Sequence, residues 1–389
     1  MTSLRRIAVV TTSRADYGHL RWLLHDLSAH PTVDLRIIAF GPHLSPEFGL
    51  TLSEVERDGF VVDEAIESLV SSDTDVGMAK SIGLATLGLT DPLARMRPEL
   101  LVVTADRYEM LAAATVALTL RIPIVHIEGG DRSEGAIDDA VRNALTKLSH
   151  LHFTTTDTAR HRVIGMGEAS WRVHRVGALS LDHLTHGVLP EAGDVLKRIG
   201  VELGQRLFVV ACHPETLEHD STGWTSALFD ALSGLDGQIV FCFPNADAGS
   251  RAVITRARRF MQDRTNTHLV VNLPAPEYWA LMKAADLLIG NSSSGVMEAA
   301  SLRKAAINVG SRQDGREHGE NVIDVPADSG AILRAADRAL SAPFQQMLVS
   351  VENPYGDGHA SERIVQVMTT TALGKSLLVK RAAPLGPVA

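Results

Sequence analysis

Short apolar segments alternate along the chain with segments in which apolar residues recur at helical spacing. In the first half, the apolar runs are 7–10, 35–40, 100–103, 122–127, 150–155 and 173–177. A second set follows residue 180, at 207–212, 239–243, 268–273, 286–291, 305–310 and 321–325. Continuous apolar strands that alternate with helices are typical of parallel sheets covered on both faces. The pattern predicts an α/β protein with two Rossmann-like, doubly wound domains.

The restart of the pattern also predicts the domain organisation. A chain of 389 residues exceeds what one hydrophobic core usually supports. We expect an N-terminal domain at 1–182, a C-terminal domain at 203–357, a last helix at about 358–373 and a loose tail at 374–389. Loops at the carboxyl ends of parallel strands form ligand crevices, so the site is expected between the two domains.

Composition narrows the class of partner. A hydrophobic content of 45% and a charged content of 21% are typical of a globular protein. The net charge of −9 disfavours nucleic-acid binding, and the apolar runs are too short for a membrane span or a signal peptide. Cys212 and Cys242 are too few for a disulfide framework or a four-cysteine zinc site. We therefore expect a cytoplasmic protein with no metal, nucleic-acid or membrane partner.

Carboxylates follow two neighbouring strands of the first set. Asp106 ends the third strand, Glu128 ends the fourth, and Asp138 begins the helix after it. Carboxylates gathered in a crevice repel each other, which raises the pKa of some and can supply both an acid and a base. The alternatives are a network that caps the helix and a zinc motif at His126-x-Glu128. The zinc motif is disfavoured because no Pro-Cys-x-x-Cys follows.

Candidate anion ligands lie at other strand ends. Arg14 precedes the first helix, where it could bind a phosphate or pair with Asp16. The stretch GNSSSGVMEAAS (290–301) predicts either a phosphate site or a helix capped by Ser293 or Ser294.

Two further residues of the second half extend this interpretation. Glu298, one turn into the helix after the serines, could accept hydrogen bonds from a ribose. His213 follows a strand and could reach a phosphate or a leaving oxygen, or could be structural. Phosphate and ribose contacts together indicate a nucleotide.

A series of motifs carries a specific resemblance. The chain resembles the hydrolysing UDP-N-acetylglucosamine 2-epimerases of sialic-acid-type sugar biosynthesis over residues 13–362. The matching motifs are SRADYG, GPHLSPEFG, DRYEM, HIEGG, EGAIDD, TKLSHLHF, CHPETLE, FPNADAGS, GNSSSGVMEA, SRQDGREHGENVI and NPYGDGHASE.

The resemblance implies a fold and a reaction. The fold is that of the glycosyltransferase-B class, in which the C-terminal helix at about 358–373 crosses back onto the first domain. The reaction removes the proton at C2 of UDP-N-acetylglucosamine, expels UDP to give a 2-acetamidoglycal, and adds water to release N-acetylmannosamine, a precursor of sialic acid. The resemblance implies no cofactor and no metal, and it suggests a homodimer or homotetramer.

The resemblance also assigns roles to individual residues. Those tied to the chemistry are Asp106, Glu128, Asp138 and His213. Either Asp106 or Glu128 is expected to take the C2 proton. The residues expected to contact UDP or the sugar are Arg14, His43, Arg107, Asn245, Ser292, Ser293, Gly295, Glu298 and Arg312.

Three positions depart from the commonest family pattern. Ala105 replaces a usual Gly, Asp131 a frequent Glu, and Asn143 a frequent His. The last two flank the sugar side of the crevice, so a UDP- or GDP-linked 2,4-diacetamido sugar is an alternative substrate. Rival activities are a non-hydrolysing 2-epimerase, a glycosyltransferase on the same fold and a catalytically silent sugar-nucleotide binder.

Overall fold

Two parallel sheets form the framework of the protein. The computed structural model describes residues 4–134, 136–202, 204–215, 222–242, 247, 249–262, 264–271 and 273–381. Within these ranges the first sheet has seven parallel strands in the order β3-β2-β1-β4-β5-β6-β7. They are β1 Arg5–Thr11, β2 Val33–Phe40, β3 Glu64–Ile66, β4 Leu100–Thr104, β5 Ile124–Ile127, β6 Leu151–Thr154 and β7 Val173–Arg175.

The second sheet repeats this topology. Its described strands, all parallel, run in the order β10-β9-β8-β11-β12-β13. They are β8 Leu207–Ala211, β9 Gln238–Cys242, β10 Thr267–Val270, β11 Leu287–Gly290, β12 Ala305–Val309 and β13 Val322–Val325. In each sheet the order reverses next to the first strand, which is the doubly wound arrangement. The predicted α/β fold with two Rossmann-like sheets is confirmed.

Helices cover both faces of each sheet. Those before β8 are α1 Arg14–Ala29, α2 Leu52–Arg57, α3 Asp75–Met96, α4 Met110–Thr119, α5 Ile137–Leu148, α6 Asp157–Gly165, α7 His183–His186 and α8 Ala192–Arg198. Those after β8 are α9 Thr225–Ser233, α10 Ser250–Gln262, α11 Ala275–Ala284, α12 Ser293–Met297, α13 Ser329–Ala339, α14 Ala342–Leu348, α15 Ala360–Thr370 and α16 Lys375–Leu378. Short 3-10 helices lie at Gly41–Leu44, Pro46–Phe48, Ser170–Arg172, Leu179–Asp182 and Ala299–Leu302. The described residues include no helix both long and apolar enough to cross a membrane.

Burial on both faces explains why the strands read as unbroken apolar runs. Along β1, Ile7 and Val9 pack with the leucines of α1, whereas Ala8 and Val10 pack with α3 and α4. All four side chains have no exposed surface. Each sheet therefore has a core on either side.

The C-terminal helix α15 packs against the first sheet's helix layer. Ile364 and Met368 are fully buried in the same core as α1, and Ser361 Oγ donates to Asp26 at 2.6 Å. Asp182 accepts the backbone N–H groups of Ala360 and Ser361 at 2.9 and 2.6 Å. The helix thus lies where the resemblance implies, while the domain limits at residues 182 and 203 stay a prediction.

The segment predicted as a loose tail is docked as far as residue 380. The Leu377 side chain is fully buried, and the Arg172 guanidinium donates to three of the segment's carbonyl oxygens. Lys380 Nζ lies 2.8 Å from the Glu168 carboxylate. The sequence pattern missed this docking because it depends on partners some 200 positions away.

Candidate active site

A cavity lies between the carboxyl ends of the two sheets. It spans about 890 Å³ when the part that is open to solvent is included, and it is a concave site of the kind that binds small ligands. Its polar lining comes from both halves of the chain: Arg14, His19, Ser180, His183, His213, Ser292, Ser293, Ser294 and Glu298. Its apolar lining comes mainly from the region of β10 and α11, and includes Val270, Leu273, Tyr278, Trp279 and Met282. We call this cavity the nucleotide pocket.

Helix α1 presents one face to the pocket and the opposite face to the core. Arg14, Ala15, Gly18 and His19 line the pocket, at the spacing of one helix face. Gly18 permits close approach, since a Cβ there would lie 3.2 Å from the Cβ of Ala275 on α11. The space between the carboxyl ends of the two sheets, of which the nucleotide pocket is one part, is called the cleft. Arg14 reaches across it and donates to the Val271 carbonyl at 3.0 Å.

The serine loop lies on the opposite wall. Gly290 has a φ of +139° and passes so close to β8 that a Cβ would overlap the Ala211 carbonyl. The helix cap is Ser292, whose hydroxyl accepts from Ser294 N at 3.4 Å, so neither serine predicted as the cap has that role. Ser292 and Ser293 both line the pocket. The two interpretations of this stretch, a capped helix and an anion site, therefore do not exclude each other.

Glu298 and His213 complete the pocket's described polar groups. Glu298 Oε1 accepts from Ser180 Oγ at 2.5 Å, whereas Oε2 is buried and has no hydrogen-bond partner among the described residues. An unpaired buried oxygen in a pocket suits a ligand hydroxyl. The backbone N–H of His213 donates to Asn291 at 2.8 Å. Burial lowers the pKa of its imidazole to about 3, so the ring is neutral at pH 7.

Asp106, at the end of β4, is held by arginines. Its carboxylate pairs with Arg142, an almost fully buried residue of α5. Burial opposes ionisation of Asp106, but Arg142, Arg316 and Arg312 outweigh it and lower its pKa. Asp106 is therefore ionised at neutral pH.

Glu128, after β5, pairs with a residue of the pocket wall. Its Oε1 lies 3.1 Å from His19 Nδ1. Burial opposes ionisation, but the charge and hydrogen bond of His19 outweigh it and lower the pKa of Glu128. Its backbone has a φ of +63°, a strained conformation for a residue with a side chain. Backbone strain of this kind is concentrated at functional sites.

Asp138, at the start of α5, has a raised pKa, in contrast to Asp106 and Glu128. Its carboxylate pairs across the cleft with Arg312 at 2.9 Å. Burial and the neighbouring Asp106 charge raise its pKa to about 6, although Arg312 opposes the shift. The structure thus brings together two ionised carboxylates and one that is readily protonated, which is the distribution that acid–base chemistry requires.

Three other predicted contacts do not line the nucleotide pocket. His43 is fully buried, its ring nitrogens contact Thr11 and Thr51, and it does not line the nucleotide pocket. Gly295 lines a smaller cavity behind α12, where a Cβ would lie 3.3 Å from that of Ala306. Arg107 pairs across the cleft with Asp247 at 2.8 Å. Asn245 lies outside the described residues.

The sequence matches one family over most of its length. Residues 25–369 fit the profile of the UDP-N-acetylglucosamine 2-epimerases. The chain belongs to this family. It is 35% identical over 378 residues to the hydrolysing UDP-N,N'-diacetylbacillosamine 2-epimerase of Legionella pneumophila, covering 97% of this chain and 99% of the relative. It is 34% identical to the hydrolysing GDP/UDP-N,N'-diacetylbacillosamine 2-epimerase of Campylobacter jejuni, covering 88% and 90%. The prediction of an enzyme of the hydrolysing 2-epimerase type is confirmed.

Solved structures support the fold of this epimerase. The structure of UDP-N-acetylglucosamine 2-epimerase from Neisseria meningitidis bound to UDP-GlcNAc superposes with a TM-score of 0.78 at 18% identity. The match covers 94% of this chain and 100% of the other. The predicted glycosyltransferase-B-like architecture is confirmed.

The departures from the family pattern have structural explanations. Ala105 has a φ of +56°, the region that favours glycine, which is why a glycine is usual there. Asp131 is buried, accepts from Thr155 Oγ1 at 2.7 Å and faces Arg316 at 3.4 Å. Asn143 donates to Asp139 at 3.0 Å. Asp131 lies close enough to Glu128 for the two charges to repel each other, whereas the Asn143 contact stays within α5.

Sequence reasoning gave no role to His19, Arg142 and Arg316, which are among the cations that lower the pKa values of Asp106 and Glu128. His19 could have been found, because its spacing from Arg14 and Gly18 puts it on their face of α1. Arg142 and Arg316 carried no comparable signal, since charged residues near a helix or loop usually face solvent. The side chains of both arginines are nevertheless almost fully buried.

A buried histidine beneath the site gives a stability prediction. His126 Nε2 lies 2.9 Å from the Ala105 carbonyl, and burial lowers its pKa from 6.5 to about 3. The unfolded chain therefore binds a proton between pH 6.5 and 3 that the folded protein does not, so the stabilising contribution of His126 is lost as pH falls through this range. We expect His126→Gln to destabilise the protein by about 1–3 kcal/mol at pH 7.5, and by less at pH 5.

Urea unfolding of the wild type and of His126→Gln at pH 7.5, 6 and 5 gives the difference between their free energies of unfolding. The other titrating groups are the same in both proteins, so their contributions cancel in that difference. His25→Gln, at an exposed position of α1, is the matched control. A penalty for His126→Gln that grows as pH falls would contradict the neutral, buried state of this ring.

Proposed function

We propose that this enzyme converts a UDP-linked 2-acetamido sugar and water into UDP and the free sugar epimerised at C2. One observation carries the proposal: three carboxylates gather beside the nucleotide pocket, and their pKa values are shifted in different directions. The pKa values of Asp106 and Glu128 are lowered, and that of Asp138 is raised. Epimerisation requires a proton to leave one face of C2 and another to arrive on the other face. One ionised and one protonated carboxylate meet that need.

The first step is an elimination. Asp106 or Glu128, as a carboxylate, accepts the C2 proton while the bond from C1 to the diphosphate oxygen breaks and UDP leaves. The sugar becomes a 2-acetamidoglycal. Charge develops on the departing diphosphate, and Arg14, Arg312, Ser292 and Ser293 are the groups proposed to stabilise it. The unpaired oxygen of Glu298 suits a ribose hydroxyl.

The second step is a hydration. Water adds its oxygen to C1 of the glycal and loses one proton to solvent, while a proton is delivered to the opposite face of C2. Exchange with solvent then removes the proton taken up by the base in the first step and restores the proton given up by the donor. Asp138 is the proposed donor, because its pKa of about 6 keeps a fraction of it protonated near neutral pH. The sum of the two steps consumes one water and releases UDP and the free C2 epimer.

We propose UDP-N,N'-diacetylbacillosamine as the preferred sugar nucleotide. Two relatives, 35% and 34% identical over most of their length, are named for that sugar. UDP-N-acetylglucosamine is the second candidate, because the family as a whole is named for it. Either product would be a precursor of a nonulosonic acid. The homodimer or homotetramer stays a prediction.

A substrate panel followed by proton NMR tests both the reaction and the sugar. The panel compares UDP-N-acetylglucosamine with UDP- and GDP-linked N,N'-diacetylbacillosamine in heavy water. We expect UDP and a free C2 epimer with deuterium at C2, and at least about tenfold higher kcat/KM for the preferred sugar, which corresponds to about 1.4 kcal/mol.

Each rival activity would give a different result on the same panel. A non-hydrolysing epimerase would keep UDP attached to the product. A glycosyltransferase would leave the C2 proton in place, and a silent binder would leave every compound unchanged. A faster reaction with UDP-N-acetylglucosamine would reverse the preference but preserve the reaction.

A further inference from the structure

His19 connects the nucleotide pocket with the carboxylates. It is the last residue of the pocket-lining face of α1, and its side chain is 24% exposed. Its Nδ1 lies 3.1 Å from Glu128 Oε1, and the Glu128 side chain is only 3% exposed. His19 therefore contacts one of the two candidates for the C2 base.

The surroundings of His19 favour its charged form. Glu128 faces it from the end of β5, Glu298 from the end of α12 and Asp16 from its own helix. Burial disfavours protonation, but these carboxylates, with Glu128 the strongest, outweigh it and raise the pKa of His19 to about 9. His183, also in the pocket wall, is kept neutral by burial, which lowers its pKa to about 4. At pH 7 the ring of His19 is therefore an imidazolium, whereas that of His183 is neutral.

The surroundings of Glu128 make its ionisation depend on that imidazolium. Glu128 is buried, which favours the neutral acid, and Asp106 repels its charge. His19 is the largest opposing influence, followed by Arg316. Without His19, only the weaker influence of Arg316 would favour ionisation of Glu128, while burial and the charge of Asp106 would oppose it.

We propose that His19 is a positioning residue of the proposed reaction, whose imidazolium holds Glu128 ionised and fixes its carboxylate beside the nucleotide pocket. The proposal rests on the function proposed above and sharpens it, since it selects Glu128 as the C2 base. Asp106 is less suitable, because Arg142 pairs with it and three further arginines stabilise its ionised form. Four arginines reduce the basicity of Asp106, whereas only His19 and Arg316 are the main cations acting on Glu128, so Glu128 is the stronger base of the two.

Kinetics of two variants at position 19 tests this role. We expect His19→Gln to lower kcat at pH 7 about 10- to 100-fold, with KM changed less than about threefold, because an ionised base is lost from the bound enzyme. The acid limb of its pH profile should move to higher pH, since Glu128 then ionises less readily. His19→Lys retains a cation and should recover most of the lost kcat.

The same kinetic assay includes a control variant and can give results that contradict the role of His19. His25→Gln, on the exposed side of the same helix, should match the wild type. Equal losses in His19→Gln and His19→Lys with an unmoved acid limb would reduce His19 to a packing residue and overturn the proposal. So would a His19→Gln enzyme within twofold of wild type.

An NMR titration separates this proposal from the proposed function, because it does not require turnover. The ring resonances of His19 should report a pKa of about 9 in the wild type and a value below 7 in Glu128→Gln, where the negative partner is absent. A His19 pKa below 7 in both proteins would overturn the ion pair itself. A confirmed ion pair in an enzyme that turns over none of the panel would instead overturn the proposed function.

Discussion

Replacing Glu128 by Gln is expected to lower kcat at least ~100-fold, the usual scale for loss of a catalytic acid or base. The substitution keeps the size of the side chain but removes the charge that would accept the C2 proton. The nucleotide is proposed to bind at Arg14, Arg312 and the serines, so the affinity for UDP should stay within about threefold. Steady-state kinetics and calorimetry with UDP measure the two quantities separately.

The matched variants sharpen this test. Asp106→Asn should also lower turnover at least ~100-fold, but it releases buried Arg142 and can disturb the neighbouring Arg107, so UDP affinity can fall as well. Glu362→Gln, at an exposed position of α15, is the isosteric control and should retain wild-type kcat. Near-wild-type turnover in both Glu128→Gln and Asp106→Asn would refute the assignment of these carboxylates.

Deuterium exchange distinguishes a lost base from a lost leaving-group site. If Glu128 is the base, the Gln variant should release neither UDP nor solvent-exchanged substrate in heavy water. A variant that still exchanges the C2 proton but releases no UDP would place Glu128 in the departure of the diphosphate instead.

The fold could be predicted largely from the sequence because each long strand is buried on both faces. The apolar runs gave twelve of the strands found in the described residues, in two sets that form the two sheets. The strand Glu64–Ile66 was missed, since it is three residues long and none of its residues is fully buried, so that it carries little apolar signal.

The site was predictable in one respect and not in another. Carboxyl ends of neighbouring parallel strands share one edge of a sheet, so Asp106 and Glu128 could be expected together. Their partners could not, because a pair such as Asp138 and Arg312 spans 174 positions and both domains. Such contacts depend on how the two sheets face each other. Hydrophobic periodicity holds no information on that arrangement.

Asp138→Asn is expected to lower kcat at least ~100-fold, because the amide cannot return a proton to C2. In the wild type, kcat/KM should fall as pH rises above about 6, since the free enzyme then loses the acidic form of Asp138. The same limb in kcat should lie at higher pH. A bound diphosphate competes for Arg312, whose charge lowers the pKa of Asp138, and weakening that pair raises the pKa.

Arg312→Gln tests this coupling between nucleotide and acid. Loss of the guanidinium should weaken UDP binding at least about tenfold, as expected for a charge-assisted contact, and should move the kcat/KM limb to higher pH because Asp138 loses its cation. Profiles of both parameters from pH 5.5 to 9 measure the shift, with Arg251→Gln, an exposed arginine of α10 that pairs with Glu47, as control. A limb that stays in place in Arg312→Gln, or persists in residual turnover by Asp138→Asn, would show that another group supplies the proton.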